Sequence, residues 1–305
     1  METYNILEKI FLDNDIDINQ KILLGVSGGP DSMFLLSLLK NKNVFVAHVN
    51  YNKREDSKND ENIVRDFCLK NNIPFEILSL NNHKEHAKGN FQAIAREERY
   101  LFYKEIYEKY DCSLLLLAHH KDDFLETAIM QDNSKRLLSH CGIPIKNLIY
   151  NMKIFRPFLY WLWKDEILEK CKSINLKFAL DYTNNLEIYT RNKIRNNLKK
   201  ISLNDKEKLF QKYLNKEKQL IIKNKLVVSQ YNNWKNSKFD CDKLIKNEYL
   251  ENVIFLMIHE HFENAKLGSG KIKNIIDFLF SSNRTSVYKI DNKNKLFKKQ
   301  NKLIF

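Results

Sequence analysis

Glycine and proline are scarce in this chain: seven and four in 305 residues. That scarcity leaves no Gly/Ser-rich or Pro-rich linker, so no composition shift of that kind marks a domain boundary. No run of 18 or more apolar residues occurs, which argues against a transmembrane helix. Met1 to Ile10 carries Glu2 and Glu8 without a long apolar core, so it does not read as a signal peptide. A cytoplasmic protein without a membrane partner is expected. The five cysteines, Cys68, Cys112, Cys141, Cys171 and Cys241, form no Cys-x-x-Cys pair, and the closest two are 29 apart. This spacing speaks against a disulfide framework and against a zinc site. Buried free thiols in a reducing compartment are the expectation.

Hydrophobic residues make up 43% of the chain, enough for at least one sizeable core. The net charge of +13 is unevenly spread. Residues 1–130 hold 16 Lys and Arg against 21 Asp and Glu, whereas residues 131–305 hold 35 against 17. A general bias toward lysine would not by itself put the acids in one half and the excess bases in the other. The basic C-terminal portion suits a polyanionic partner, most simply nucleic acid.

Short apolar runs alternate with helical patterns over the first 120 residues. Strands are expected at 22–26, 44–49, 75–80 and 114–118, and helices at 33–39, 60–69 and 91–107. Such alternation means βαβ units: an α/β, Rossmann-like parallel sheet with helices on both faces. Ligands of such sheets bind at the carboxyl ends of the strands. Beyond about residue 205 the pattern becomes helical, at 206–227, 244–262 and 271–280, with short strands at 285–290 and 295–305. The expected division is a catalytic domain at 1–205 and a smaller, basic, mainly helical domain at 206–305.

The segment after the first strand, Ser27-Gly28-Gly29-Pro30-Asp31-Ser32, is built to receive a phosphate. Glycines let the backbone approach an anion, and the following helix offers unpaired N–H groups and a positive dipole end. Pro30 suits a first helical turn. Ser27 and Ser32 can donate hydroxyl bonds. Asp31 would repel phosphate, so its carboxylate makes sense chiefly as a Mg²⁺ ligand. The Gly-Lys-Ser/Thr of the Walker loop is absent. After the fourth strand, Asp123 and Glu126 are three apart and share a helical face. With His119 they form an acidic, proton-accepting cluster suited to a cationic amine. Arg191 and Arg195, four apart, can clamp phosphate or carboxylate. Tyr160, Trp161 and Trp163 read as core rather than as stacking platforms.

The loop resembles the Ser-Gly-Gly-x-Asp-Ser signature of the PP-loop, or N-type, ATP pyrophosphatases. Further segments resemble the lysidine synthetase branch of that family: His48 to Arg54 with Ser57 and Asp60; Asn90 to Tyr100 with Ala95-Arg96-Glu97-x-Arg99-Tyr100; and Ala118 to Thr127. Arg156-Pro157-Phe158, Asp181-x-Thr183-Asn184 and Arg191-Asn192-x-Ile194-Arg195 follow in family order. The resemblance covers about residues 20–197. Two places depart from it. Gln131 to Arg136 stands where a Gly-rich stretch is usual, and Tyr51-Asn52 stands where His-Gly is common.

The resemblance implies cleavage of ATP between its α- and β-phosphates. The wobble cytidine of tRNA(Ile) with anticodon CAU would be adenylated on its C2 oxygen, and the ε-amine of L-lysine would then displace AMP. It implies ATP binding at Ser27 to Ser32 and Mg²⁺ on Asp31. His119, Asp123 and Glu126 would act with Asp31 in catalysis, and Arg96, Asp122, Arg191 and Arg195 would contact lysine or tRNA. A homodimer is compatible with it. The rival readings are a PP-loop tRNA thiolase, for which the cysteine spacing is wrong, and a non-catalytic RNA-binding relative, which would not need Asp31, Asp123 and Glu126 intact.

Overall fold

In the computed structural model, residues 2–52, 57–80, 91–134, 140–179, 190–262, 265 and 267–305 are described. Lys53, Arg54, Asn90, Lys135, Arg136, Asp181, Thr183 and Asn184 lie outside them.

Continuous burial along short apolar strands, unbroken in the first and fourth, dictates a sheet covered on both faces. Strands β1 (Ile22–Gly25), β2 (Val44–Asn50), β3 (Phe75–Ser79) and β4 (Leu114–Leu116) are joined by β5 (Lys146–Ile149) and β6 (Met152–Phe155) in the order β3-β2-β1-β4-β6-β5. All neighbours are parallel except β5 with β6. One face sends Ile22, Leu24, Val46, Leu114 and Leu116 into a core with α1 (Glu2–Leu12), α2 (Pro30–Leu39), α3 (Ser57–Lys70) and α6 (Lys164–Ser173). The other face sends Leu23, Ala47, Leu115 and Leu117 against α4 (Phe91–Lys109). The expected α/β architecture is therefore observed. α2 is apolar nearly all round, as its sequence requires, with Met33, Phe34, Leu35, Leu36 and Leu39 all buried.

The chain reverses direction across the sheet between β1 and β4. This is the topological switch point, where the carboxyl ends of two adjacent strands diverge and leave a crevice. The segments that follow these strands are Val26 to Gly29 after β1, and His119 and His120 before α5 (Lys121–Ser134) after β4. The remaining helices of this unit are α7 (Thr190–Lys199) and the start of α8 (Leu203–Asn236).

The chain divides into two compact units: the main change falls between Tyr213 and Leu214, inside α8, and His140 and Cys141 also belong to the second unit. The second unit has its own core, built from Tyr231 and Trp234 of α8, Val253, Ile254, Met257 and Ile258 of α9 (Leu250–His261), and Ile272 and Ile275 of α10 (Ser269–Leu279). A small antiparallel sheet completes it: β7 (Ser286–Lys289), β8 (Lys295–Lys299) and β9 (Lys302–Ile304). Among the described residues no helix is long and apolar enough to cross a membrane.

Candidate active site at the carboxyl edge of the sheet

The loop at 27–32 is held open by its own side chains. The Ser27 N–H donates to Ser32 Oγ at 3.1 Å, and Ser32 Oγ donates to the Gly29 carbonyl at 3.1 Å. Gly28 adopts φ +85°, and a Cβ there would meet the Asp60 carbonyl oxygen at 3.0 Å. Only glycine combines that backbone with that proximity. Pro30 opens α2, whose first-turn N–H groups have no intrahelical partner. His48 on β2 braces the loop from behind through Nδ1 to the Val26 carbonyl at 2.8 Å. Nδ1 is therefore the protonated nitrogen, and burial pushes the His48 pKa down.

Asp31 is already paired. Lys164, the first residue of α6, donates to its two carboxylate oxygens at 2.7 and 2.6 Å. His120 Nε2 stands 3.8 Å from Asp31 and 3.4 Å from Asp123. Asp31 fits a Mg²⁺ ion that takes one carboxylate and completes its shell with phosphate oxygens and water. Its oxygens are hard donors, and its present partner, Lys164, is a partly exposed side chain.

The two adjacent histidines carry opposite charge states. Burial pushes His119 down to about 3, so it is neutral. For His120, burial works in the same direction but is outweighed by Asp123, Asp31 and Asp122, which lift it to about 9. The pull of His120, His119 and Arg191 exceeds the cost of burial at Asp123 and holds its carboxyl well below the usual range.

Glu126 is buried, with 1% of its surface exposed. Arg191 Nε reaches it at 2.7 Å and Arg195 Nε at 2.6 Å, while Arg191 also reaches Asp123 at 3.0 Å. The carboxylate that the arginine pair of α7 clamps is thus one of the chain's own. Asp122 faces inward. It caps α6 by accepting the Lys164 N–H at 2.9 Å and takes Lys206 Nζ at 2.5 Å. Lys206 is buried in this first unit, over the Trp163 ring at 4.9 Å, so the boundary expected at 205 falls short of it. Arg96 lies exposed on α4, 4.8 Å from the Tyr100 ring centroid. Trp163 is buried, as expected.

A family model for the PP-loop domain matches residues 3–201. The tRNA(Ile)-lysidine synthase of Mycoplasmopsis pulmonis is 45% identical over 263 residues, covering 85% of this chain and 90% of that one. That of Mesomycoplasma hyopneumoniae is 38% identical over 291 residues, covering 95% and 97%. The chain belongs to the PP-loop family and, within it, to the tRNA(Ile)-lysidine synthases. Among solved structures, a U34-tRNA thiolase from Methanococcus maripaludis aligns with a TM-score of 0.56 at 20% identity over 72% of this chain and 78% of that one. That likeness shows the shared fold.

For this member of the lysidine synthase family, sequence reasoning missed Lys164, His120 and Lys206. One signal was present. Lys164 is a cation at the first position of a helix, where the dipole favours acids such as the neighbouring Asp165 and Glu166. The departure at Gln131 also has a structural account. Its side-chain amide accepts from the Gly142 N–H at 2.6 Å and donates to the Gly142 carbonyl at 3.3 Å. Gly142, at φ +70°, lies so close to Phe124 that a Cβ would come within 2.5 Å of the ring.

Proposed function

We propose that this chain converts the wobble cytidine of tRNA(Ile) with anticodon CAU to lysidine, using L-lysine and ATP. The observation that carries this is the apposition of the open loop at 27–32 and the charged cluster at 119–126 on either side of the switch point, in a chain of the lysidine synthase family.

The loop and the first turn of α2 bind the ATP phosphates. Mg²⁺ on Asp31 would neutralise charge building on the departing pyrophosphate. When Asp31 changes partner, Lys164 is released within reach of the same phosphates, so the pairing seen here supplies a second cation for them. Asp123 and Glu126 supply carboxylates for the lysine ammonium, which has an ordinary pKa near 10.4 and would take the place of a resident arginine. His119 is neutral and adjacent to Asp123, the state required of a proton acceptor once nitrogen bonds to C2 and its proton becomes acidic. The basic second unit grips tRNA phosphates. Its Cys141 and Cys241 and the three thiols of the first unit are all buried and free, which supports a reducing cytoplasmic setting.

Incubation with labelled lysine, ATP and total tRNA tests the reading. Label is expected in one isoleucine tRNA, with AMP and pyrophosphate formed in equal amounts. Label in no tRNA, or pyrophosphate release without tRNA, would count against it.

A further inference from the structure

The small sheet of the second unit covers its core with one face only. Tyr288, Leu296 and Leu303 point inward, against that core. Along β7, β8 and β9 the positions between them are exposed. Alternation of this kind normally places polar residues on the outer face. Here Val287, Phe297 and Ile304 stand there instead, 57%, 47% and 47% exposed. The register sets them side by side: Val287 pairs with Phe297 across β7 and β8, and Phe297 with Ile304 across β8 and β9. Side chains directly opposite in a sheet are close enough to touch. The three therefore form one exposed row rather than scattered singles.

Lysine frames the row at both ends. Two residues along the strands, and so on the same face, Lys289 pairs with Lys295 and Lys299 with Lys302. All four are exposed. No Asp or Glu occurs in the three strands. Like charges directly opposite one another destabilise a sheet, and an anion bound at each end would relieve that cost. A fifth lysine, Lys298, faces inward and is 1% exposed. Its ammonium donates to the Phe278 carbonyl at 2.9 Å and to the Ser281 carbonyl and hydroxyl at 3.1 and 2.9 Å. The last carbonyls of a helix lack intrahelical partners, so Lys298 pins the sheet to the end of α10.

We propose that the outer face of the β7-β8-β9 sheet docks an unpaired nucleotide of the tRNA. The Phe297 ring stacks on the base, Val287 and Ile304 flank it, and the two lysine pairs take phosphates on either side. The proposal rests on the reading that the second unit grips tRNA. An apolar ring between two cationic ends matches the order of a single strand: phosphate, base, phosphate. The lysine pairs are about 13 Å apart, four residues along a strand, and their long side chains reach inward from there. Phosphate contacts alone would need only the lysines. The ring adds a preference for single strands, because a base within a duplex has its faces covered by its neighbours. A second copy of this face would bring lysine against lysine. A lipid surface favours a broad apolar face, whereas this row is one residue deep.

The test measures the affinity of the full chain for a CAU tRNA transcript across a salt series. Phe297→Leu keeps an apolar side chain in the row and removes the ring. It should weaken binding about 10-fold, within the range of one lost base–aromatic stack, and leave the slope of log affinity against log salt unchanged. Phe297→Tyr, which keeps the ring, should bind as the unmodified protein does. Lys299→Gln should lower the slope by about 1. Full affinity in Phe297→Leu, or an equal loss in Phe297→Tyr, would overturn the platform. So would weakened binding to phosphatidylglycerol vesicles, or a change in sedimentation, in Phe297→Leu with tRNA affinity intact; these would assign the face to a membrane or to a second copy. Ultraviolet crosslinking of the unmodified protein covers the case of a variant that does not fold. The β8 peptide should carry a nucleotide from a loop or an end of the tRNA, and a stem nucleotide, or none, would overturn the platform. Failure of the unmodified protein to bind the transcript at all would instead defeat the tRNA reading, which keeps the two failures apart.

Discussion

Two charged clusters of the first unit are built on opposite principles. In one, every acid already has a cation: Asp31 has Lys164, Asp122 has Lys206, and Asp123 and Glu126 have Arg191, with Arg195 also on Glu126. By contrast Arg96, Arg99 and Arg156 lack carboxylate partners among the described residues, and Arg99 sits among the hydroxyls of Tyr51, Tyr100 and Tyr103. A ligand on the acidic side must exchange partners with a resident cation, and the charge count stays balanced before and after. Paired charges here hold the fold, and unpaired charges are free to bind.

Asp31 is the hardest test, because it is paired and yet assigned a chemical role. Asp31→Ala should lower tRNA-dependent pyrophosphate release by about a thousandfold, the scale on which a lost charge-stabilising group acts. The pairing predicts something further: Lys164 is left without its acid but partly exposed, so thermal stability should change little. Retained pyrophosphate release would remove the metal assignment, and a large loss of stability would make Asp31 a structural residue.

Glu126 lies at the opposite extreme, buried beneath two arginines. Glu126→Gln removes the charge and leaves both guanidiniums with a neutral partner. Breaking a buried ion pair in this way costs about 3 kcal/mol. Urea unfolding should show that loss even without substrates. An unaltered unfolding midpoint would mean that Arg191 and Arg195 do not depend on Glu126.

His119 sets the acid limit. Its folded pKa of about 3 lies below its ordinary 6.5 because the buried ring resists charging. Below pH 6.5 the unfolded chain takes up a proton that the folded chain refuses. Stability is therefore full above pH 6.5 and falls toward pH 3, by up to about 1.4 kcal/mol per unit. His48, also lowered by burial, adds in the same direction. Asp122 and Asp123, depressed by their cationic neighbours despite burial, add a further loss below about pH 4. His120 is raised to about 9, so its contribution is full below pH 6.5 and is lost as pH rises through 9. His119→Gln should flatten the decline in urea midpoint between pH 6.5 and 4.5. A slope that survives the substitution would place its origin elsewhere.

Much of this was legible in the sequence, for reasons that differ by element. The strands β1 to β4 and the apolar α2 read clearly because a buried parallel sheet leaves continuous apolar runs. The β5–β6 hairpin did not, since its turn, Tyr150-Asn151, takes φ of 48° and 66° without a glycine to announce it. The β8–β9 turn at Gln300-Asn301 is alike in this, and one strand was read where two are formed. In the site, residue types and spacing grouped His119, Asp123 and Glu126, and the family resemblance joined Asp31 to them. Their pairing was not visible, because Lys164 is 133 residues from Asp31 and Arg191 is 65 from Glu126. Spacing reports neighbours on one element, whereas ion pairs between elements depend on the fold. The charges of His119 and His120, adjacent and identical in sequence, are separated only by what surrounds each ring.

The smallest expected effect tests the distinction among lysines of one helix. Lys206 and Lys225 both lie on α8 and count equally toward the basic charge of the C-terminal portion. Lys206 is buried against Asp122 and Trp163. Lys225 is exposed, beside the likewise exposed Ile221 and Val228. If unpaired charge is what binds, Lys225→Glu should weaken tRNA binding a few-fold and reduce the slope of log affinity against log salt by about 1. Lys206→Met should leave that slope alone and lower stability instead, because Asp122 keeps only the Lys164 N–H and His120 as partners. Filter binding of the CAU tRNA across a salt series separates them. Equal slopes for the two variants would mean that net charge, rather than its pairing, governs how the second unit meets RNA.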